Sequence, residues 1–156
     1  MLPRDIIVKV KIILDNKVLV ITPTVWVIVQ GIKVTLAAIR EKKFNFKWLI
    51  GTGGMPSSHA AGATALATTV GLDTGCDSVS FALAFVFAMV TMFDAQGVRR
   101  SVGQLAVVFN QIVDDIYWRR KTASNRLIEF IGHTPLQVII GAILGFLLSY
   151  ILYNLW

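Results

Sequence analysis

The chain has 156 residues, 55% of them hydrophobic and 15% charged, with a mean hydropathy of +0.68. That composition excludes an ordinary soluble domain of this size and reads as an integral membrane protein, a single domain over residues 1–156 built from a few spanning helices of about 20 apolar residues each. The net charge of +6 sits mainly in connections, at Arg40, Lys42, Lys43 and Lys47, at Arg99 and Arg100, and at Arg119, Arg120 and Lys121. Basic residues in such places orient a membrane protein and meet anionic headgroups, and without a basic stripe interleaved with exposed aromatics they speak against nucleic-acid binding.

The N-terminus carries Arg4, Lys9 and Lys11 without a compact signal-peptide pattern, so the first apolar segment is expected to be retained. That segment, from about Val18 to Ile39, is long enough to span and has Pro23 as a candidate kink. A second helix is expected from Ser58 to about Val70; its Ala, Gly and Thr residues suit close packing in the interior. Gly71 to Asp77 reads as a polar turn. A third helix, Ser78 to about Phe93, is rich in Phe and Val and reads as lipid-facing, bringing the chain back to the side where the second began.

The stretch from Ser101 to Trp118 is ambiguous, because Gln104, Asn110, Gln111, Asp114 and Asp115 interrupt its apolar residues; a buried, partial or interfacial course all fit, and a shallow one is favoured. The last helix, Pro135 to about Tyr153, has Gly141 and Gly145 at the GxxxG spacing that favours close helix contact. Together these segments describe an all-α polytopic membrane bundle of about four to five helices. Cys76 is the sole cysteine, which rules out an internal disulfide and a cysteine metal cluster.

Three clusters carry chemistry. In GGMPSSHAA, Gly53 to Ala61, glycines feed Pro56, Ser57, Ser58 and His59 into the start of an apolar helix, whose N–H groups and positive dipole end suit a bound oxyanion. His59 there is a candidate proton donor to a leaving group, against the plainer alternative of a helix cap followed by a packed histidine. In FDAQGVRR, Phe93 to Arg100, Asp94 is followed by Arg99 and Arg100, either an anion clamp or an interfacial anchor in which Asp94 pairs with an arginine. In GHTPLQV, Thr134 and Gln137 fit a capping box and Pro135 suits the first helical position, which explains everything except His133.

The chain has only two histidines, and each lies at the expected start of a membrane helix. A shared site is favoured over two independent structural histidines, and a His pair among Lys and Arg suggests phosphoryl transfer, with one imidazole as nucleophile and the other as proton donor. If so, His59, His133 and at least one of Arg99 and Arg100 converge within about 10 Å near one membrane face.

GGMPSSHAA, DAQGVRR and GHTPLQVIIGAILG resemble the three signature segments of the divergent branch of the type 2 phosphatidic acid phosphatase (PAP2) superfamily, which is related to acid phosphatases and vanadium haloperoxidases. The resemblance covers about residues 16–150. It implies that Lys33 and Arg40, seven positions apart, bind phosphate, although Glu41 stands where the pattern has proline. It implies that Pro56, Ser57, Ser58 and His59 form the second segment, with Ser for Gly, and that His133 is the nucleophile. Arg126 lies one position too far upstream to be the third segment's arginine, which leaves Arg99 or Arg100 to replace it. Gln137 stands where the superfamily has a carboxylate that orients the histidine.

Gln137 can fix an imidazole tautomer but brings no charge to stabilise an imidazolium; Asp94 and Glu129 are the candidate replacements. The resemblance implies no metal and no cofactor, with a lipid phosphate as substrate, membrane lipids as partners, and a homo-oligomer left open. The leading expectation is a membrane phosphatase acting on a lipid phosphomonoester or diphosphate through a phosphohistidine. The alternatives are a catalytically weak lipid-phosphate-binding or scaffold protein, and a transporter whose polar residues line a path.

Overall fold

The computed structural model describes residues 4–42, 46, 54–96, 105, 107–110, 112 and 133–156. Its helices are α1 (Arg4–Leu14), α2 (Lys17–Glu41), α3 (Ser58–Thr74), α4 (Val79–Gln96) and α5 (Pro135–Leu155), and residues 107–110 are helical as well. Among the described residues, α2, α4 and α5 are long and apolar enough to cross a membrane, so the protein is an all-α polytopic membrane bundle.

Each main helix begins at a side-chain cap. Asn16 accepts from the Leu19 N–H, Ser57 from Ala60, Ser78 from Phe81 and Thr134 from Gln137, each satisfying a first-turn N–H that has no partner within its helix. α1 is a helix that the sequence pattern did not announce; Asp15 and Asn16 separate it from α2. Pro23 lies inside α2, which runs on through it.

The turn after α3 starts later than its composition suggests. Gly71 stays helical, and Gly75 makes the stop instead, at φ +88° with its N–H donating to the Gly71 carbonyl. Gly71 is small for a packing reason, since a Cβ there would sit 2.8 Å from the Phe81 ring.

α3 is the interior helix. It packs against α2, α4 and α5, and buries Ala60, Ala61, Ala63, Ala65, Ala67 and Thr69. Ile21, Val25 and Val29 of α2 meet Ala61 and Ala65 in one cluster, while Ala84 and Ala88 of α4 meet Ala63 and Ala67 in another. Much of the rest of α4, including Leu83, Phe85, Val86, Phe87, Val90 and Phe93, is exposed, as a lipid-facing helix requires.

The GxxxG pair of α5 lies directly on the first turns of α3. A Cβ on Gly141 would collide with the Ser57 carbonyl oxygen, and one on Gly145 with the Ala61 carbonyl oxygen. Only glycine allows the two backbones this approach. At the other end Tyr153 Oη donates to the Leu72 carbonyl at 3.2 Å, and Lys17 Nζ lies 4.2 Å from the Tyr153 ring centre. These contacts make α3 and α5 parallel, with α2 and α4 running the opposite way.

Candidate functional site

The parallel pair brings two helix N-termini to one end of the bundle, beside the C-terminal ends of α2 and α4. Two first turns side by side present outward-facing N–H groups and two positive dipole ends, an environment suited to an anion. Both histidines lie here. His59 is half-buried in the first turn of α3, His133 is buried two residues before α5, and their ring centres are 6.3 Å apart with planes tilted by 57°.

Backbone hydrogen bonds fix this arrangement. The Ser57 N–H donates to the Gln137 carbonyl at 3.1 Å, and the His133 N–H donates to the Ala95 carbonyl at 3.2 Å. The first ties the serine turn to α5; the second ties His133 to the last turn of α4. Ala60, Ala95 and Val138 close the floor beneath them. Gln96 and His133 thereby lie at the same end of the bundle.

Gln137 joins the two segments. Its side-chain Oε1 accepts the Thr134 N–H at 3.0 Å and lies 3.2 Å from His133 Nδ1, while its carbonyl holds Ser57. The capping box expected of Thr134 and Gln137 is therefore present, with the preceding histidine added to it.

Ser57 and Ser58 are buried, and Ser57 Oγ accepts from Ala60 at 3.3 Å. As an acceptor toward α3, that hydroxyl keeps its own proton to donate. Lys33 is buried at 5% exposure although it belongs to a membrane-spanning helix. The buried stripe of α2 is apolar through Val29 and turns polar at Gln30 and Lys33. The Lys33 stem passes over the serine loop: a Cβ on Gly54, where φ is +83°, would lie 3.5 Å from Lys33 Cδ. A lysine buried within a membrane-spanning helix, with its stem against a polar turn, makes this end of the bundle the candidate site.

Arg40, two turns further along α2, is exposed in the last turn, and Asp94 is half-buried in the last turn of α4. Arg99, Arg100, Arg126 and Glu129 lie outside the described residues. Among those described, no three of His, Cys, Asp and Glu are grouped to hold a metal ion.

Two contributors carried no distinct sequence signal, the Ala95 carbonyl and the Gln137 carbonyl, because main-chain acceptors leave no trace in residue type.

The chain is similar to an uncharacterized membrane protein, YuiD, of Bacillus subtilis (strain 168), at 41% identity over 79% of this chain and 85% of that protein. No solved structure matches it. The model of the divergent PAP2 family matches residues 14–148, which include both histidines, the serine turn and the GxxxG helix. With that match over most of its length, the chain belongs to the divergent PAP2 family.

Proposed function

We propose that the protein is a membrane phosphatase that hydrolyses a phosphomonoester or diphosphate on a lipid. The observation that carries this reading is the histidine pair, 6.3 Å apart at two converging helix N-termini. One phosphoryl group fits that span, with phosphorus about 3 Å from one ring nitrogen and the leaving oxygen in hydrogen-bond reach of the other.

In the first step Nε2 of His133 forms a bond to phosphorus as the bond from phosphorus to the lipid oxygen breaks. His59, protonated, gives its proton to that oxygen. In the second step water attacks the phosphohistidine, His59 takes the proton, and phosphate leaves with His133 regenerated. Ser57, Ser58 and the first-turn N–H groups of α3 bind the non-bridging oxygens, and Lys33 supplies the positive charge within the bundle, with Arg40 and the two arginines after α4 as further clamps. Gln137 orients His133.

A second reading rests on one specific residue. Gln137 supplies no negative charge where a catalytic imidazolium needs one, which favours a protein that holds a lipid phosphate headgroup without turning it over.

The test is phosphate release by purified protein over a panel of lipid phosphomonoesters and diphosphates, beside His133→Ala and His59→Ala. Release that both substitutions abolish supports the phosphatase. Saturable phosphate binding with no release, lost in His133→Ala, supports the headgroup binder. Neither release nor binding rejects both readings.

A further inference from the structure

The family match begins at residue 14, so all of α1 but Leu14 lies outside it, and the histidine site makes no use of this helix. Its sequence, RDIIVKVKIIL, is strongly amphipathic. At 100° per residue, Ile6, Ile7, Val10, Ile13 and Leu14 share an arc of about 120°. Arg4 and Lys11 flank one edge of that arc and Lys9 the other. Of this face, Ile6, Ile13 and Leu14 are left 43%, 55% and 56% exposed, and α1 packs against α2 alone among the described helices.

What covers this face follows from the chain itself. α2 is a membrane-spanning helix that starts at Lys17, so only Asp15 and Asn16 separate α1 from it. Two residues reach less than about 10 Å, which holds α1 at the membrane boundary. The helix is too short to cross a bilayer of about 30 Å. An apolar face with basic residues along both edges fits one plane there, with the isoleucines among upper acyl carbons and the Lys and Arg stems extending to headgroup phosphates. Three basic residues against one acidic residue, Asp5, select anionic lipid.

We propose that α1 is an interfacial helix that binds anionic lipid headgroups at the membrane face opposite the histidine site. The face is assigned by the Lys17 and Tyr153 contact, which places the start of α2 at the far end of the bundle from His59 and His133. This surface is independent of the phosphatase reading and holds whether or not the protein turns over substrate.

The test uses the full chain in a Cys76→Ser background, with single cysteines placed by Ile13→Cys on the apolar face and Lys9→Cys at its edge. Each is labelled with an environment-sensitive fluorophore in phosphatidylcholine vesicles with and without phosphatidylglycerol. Ile6→Cys is a second apolar-face site should Ile13→Cys not fold. Lipid-borne spin labels are expected to quench the apolar-face site several-fold more than the Lys9 site, and aqueous iodide to show the reverse. Spin-labelled phosphatidylglycerol is expected to quench the apolar-face site more than spin-labelled phosphatidylcholine, with the difference lost in Arg4→Gln/Lys11→Gln. Iodide reaching both sites equally, lipid quenching both equally, protection of the apolar face from both quenchers by a second copy, or equal quenching by the two lipids each overturns the proposal.

Discussion

His133 Nδ1 lies 3.2 Å from Gln137 Oε1, and the same oxygen accepts the Thr134 N–H at 3.0 Å. The second contact determines the first. A backbone N–H only donates, so the side-chain atom facing it is the amide oxygen, and an amide oxygen only accepts. Nδ1 of a neutral His133 therefore carries the proton, and the lone pair is on Nε2, the nitrogen required of a nucleophile. A helix cap and a tautomer are set by one atom.

The GxxxG seam is expected to be the most sensitive packing feature of the site. Gly141→Ala and Gly145→Ala each drive a methyl group into α3 backbone, at Ser57 and Ala61, where rigid neighbours make overpacking cost about 1–3 kcal/mol. Gly31→Ala meets nothing within 4 Å, and is expected to be neutral or to stabilise by about 0.5–1 kcal/mol. Thermal unfolding in detergent checks the contrast. Gly141→Ala is also expected to weaken phosphate binding, because it displaces the Ser57 cap.

Lys33→Met separates charge from packing. Methionine keeps an unbranched apolar stem over Gly54 and removes the ammonium group. If Lys33 holds phosphate, a charge-assisted hydrogen bond worth about 1.5–3 kcal/mol is lost, and phosphate affinity falls about 10-fold or more. The variant is expected to remain folded, since methionine keeps the apolar packing over Gly54. Isothermal titration with inorganic phosphate and a thermal melt of the same variant measure both.

Much of this arrangement is legible in the sequence where caps and residue size act locally. Ser57, Ser78 and Thr134 announce helix starts, and Gly141 with Gly145 announces a close contact. The two histidines are legible as a pair because both fall at helix starts, and the structure brings those starts to one end of the bundle. What the sequence does not disclose is which helix the glycines meet, since helix spacing fixes a face and not its partner. α1 is not legible as an element because its length and charges fall below the pattern of a span. α3 runs past the end its composition suggests because Gly71 is small to admit Phe81, and Gly75, at φ +88°, provides the stop.

Tyr153→Phe provides the complementary control at the opposite end. It removes the hydroxyl that donates to the Leu72 carbonyl and lies 3.3 Å from Asp73 Oδ1, while keeping the ring beneath Lys17. A stability loss of about 1 kcal/mol is expected. Phosphate binding and any turnover are expected to be unchanged, as assayed on equal amounts of folded protein, because the substituted contact lies at the far end of the bundle from the histidines.

Gln137→Glu tests whether the missing charge limits the site. A carboxylate in this position accepts from both the Thr134 N–H and His133 Nδ1–H, so the cap and the tautomer survive, and a negative charge at a helix N-terminus is favourable by about 0.3–1 kcal/mol. The charge also stabilises an imidazolium at His133. Loss of the carboxylate partner in hydrolytic triads costs about 10⁴-fold in rate, so a phosphatase limited by Gln137 is expected to gain activity readily visible above the His133→Ala blank. Gln137→Ala provides the opposite arm: it loses both hydrogen bonds, destabilises the helix start by about 1 kcal/mol, and lowers phosphate binding by freeing the His133 ring. If Gln137→Glu raises thermal stability yet releases no phosphate from any lipid in the panel, while inorganic phosphate still stabilises the protein, the site is a headgroup-binding site and the phosphatase reading is rejected.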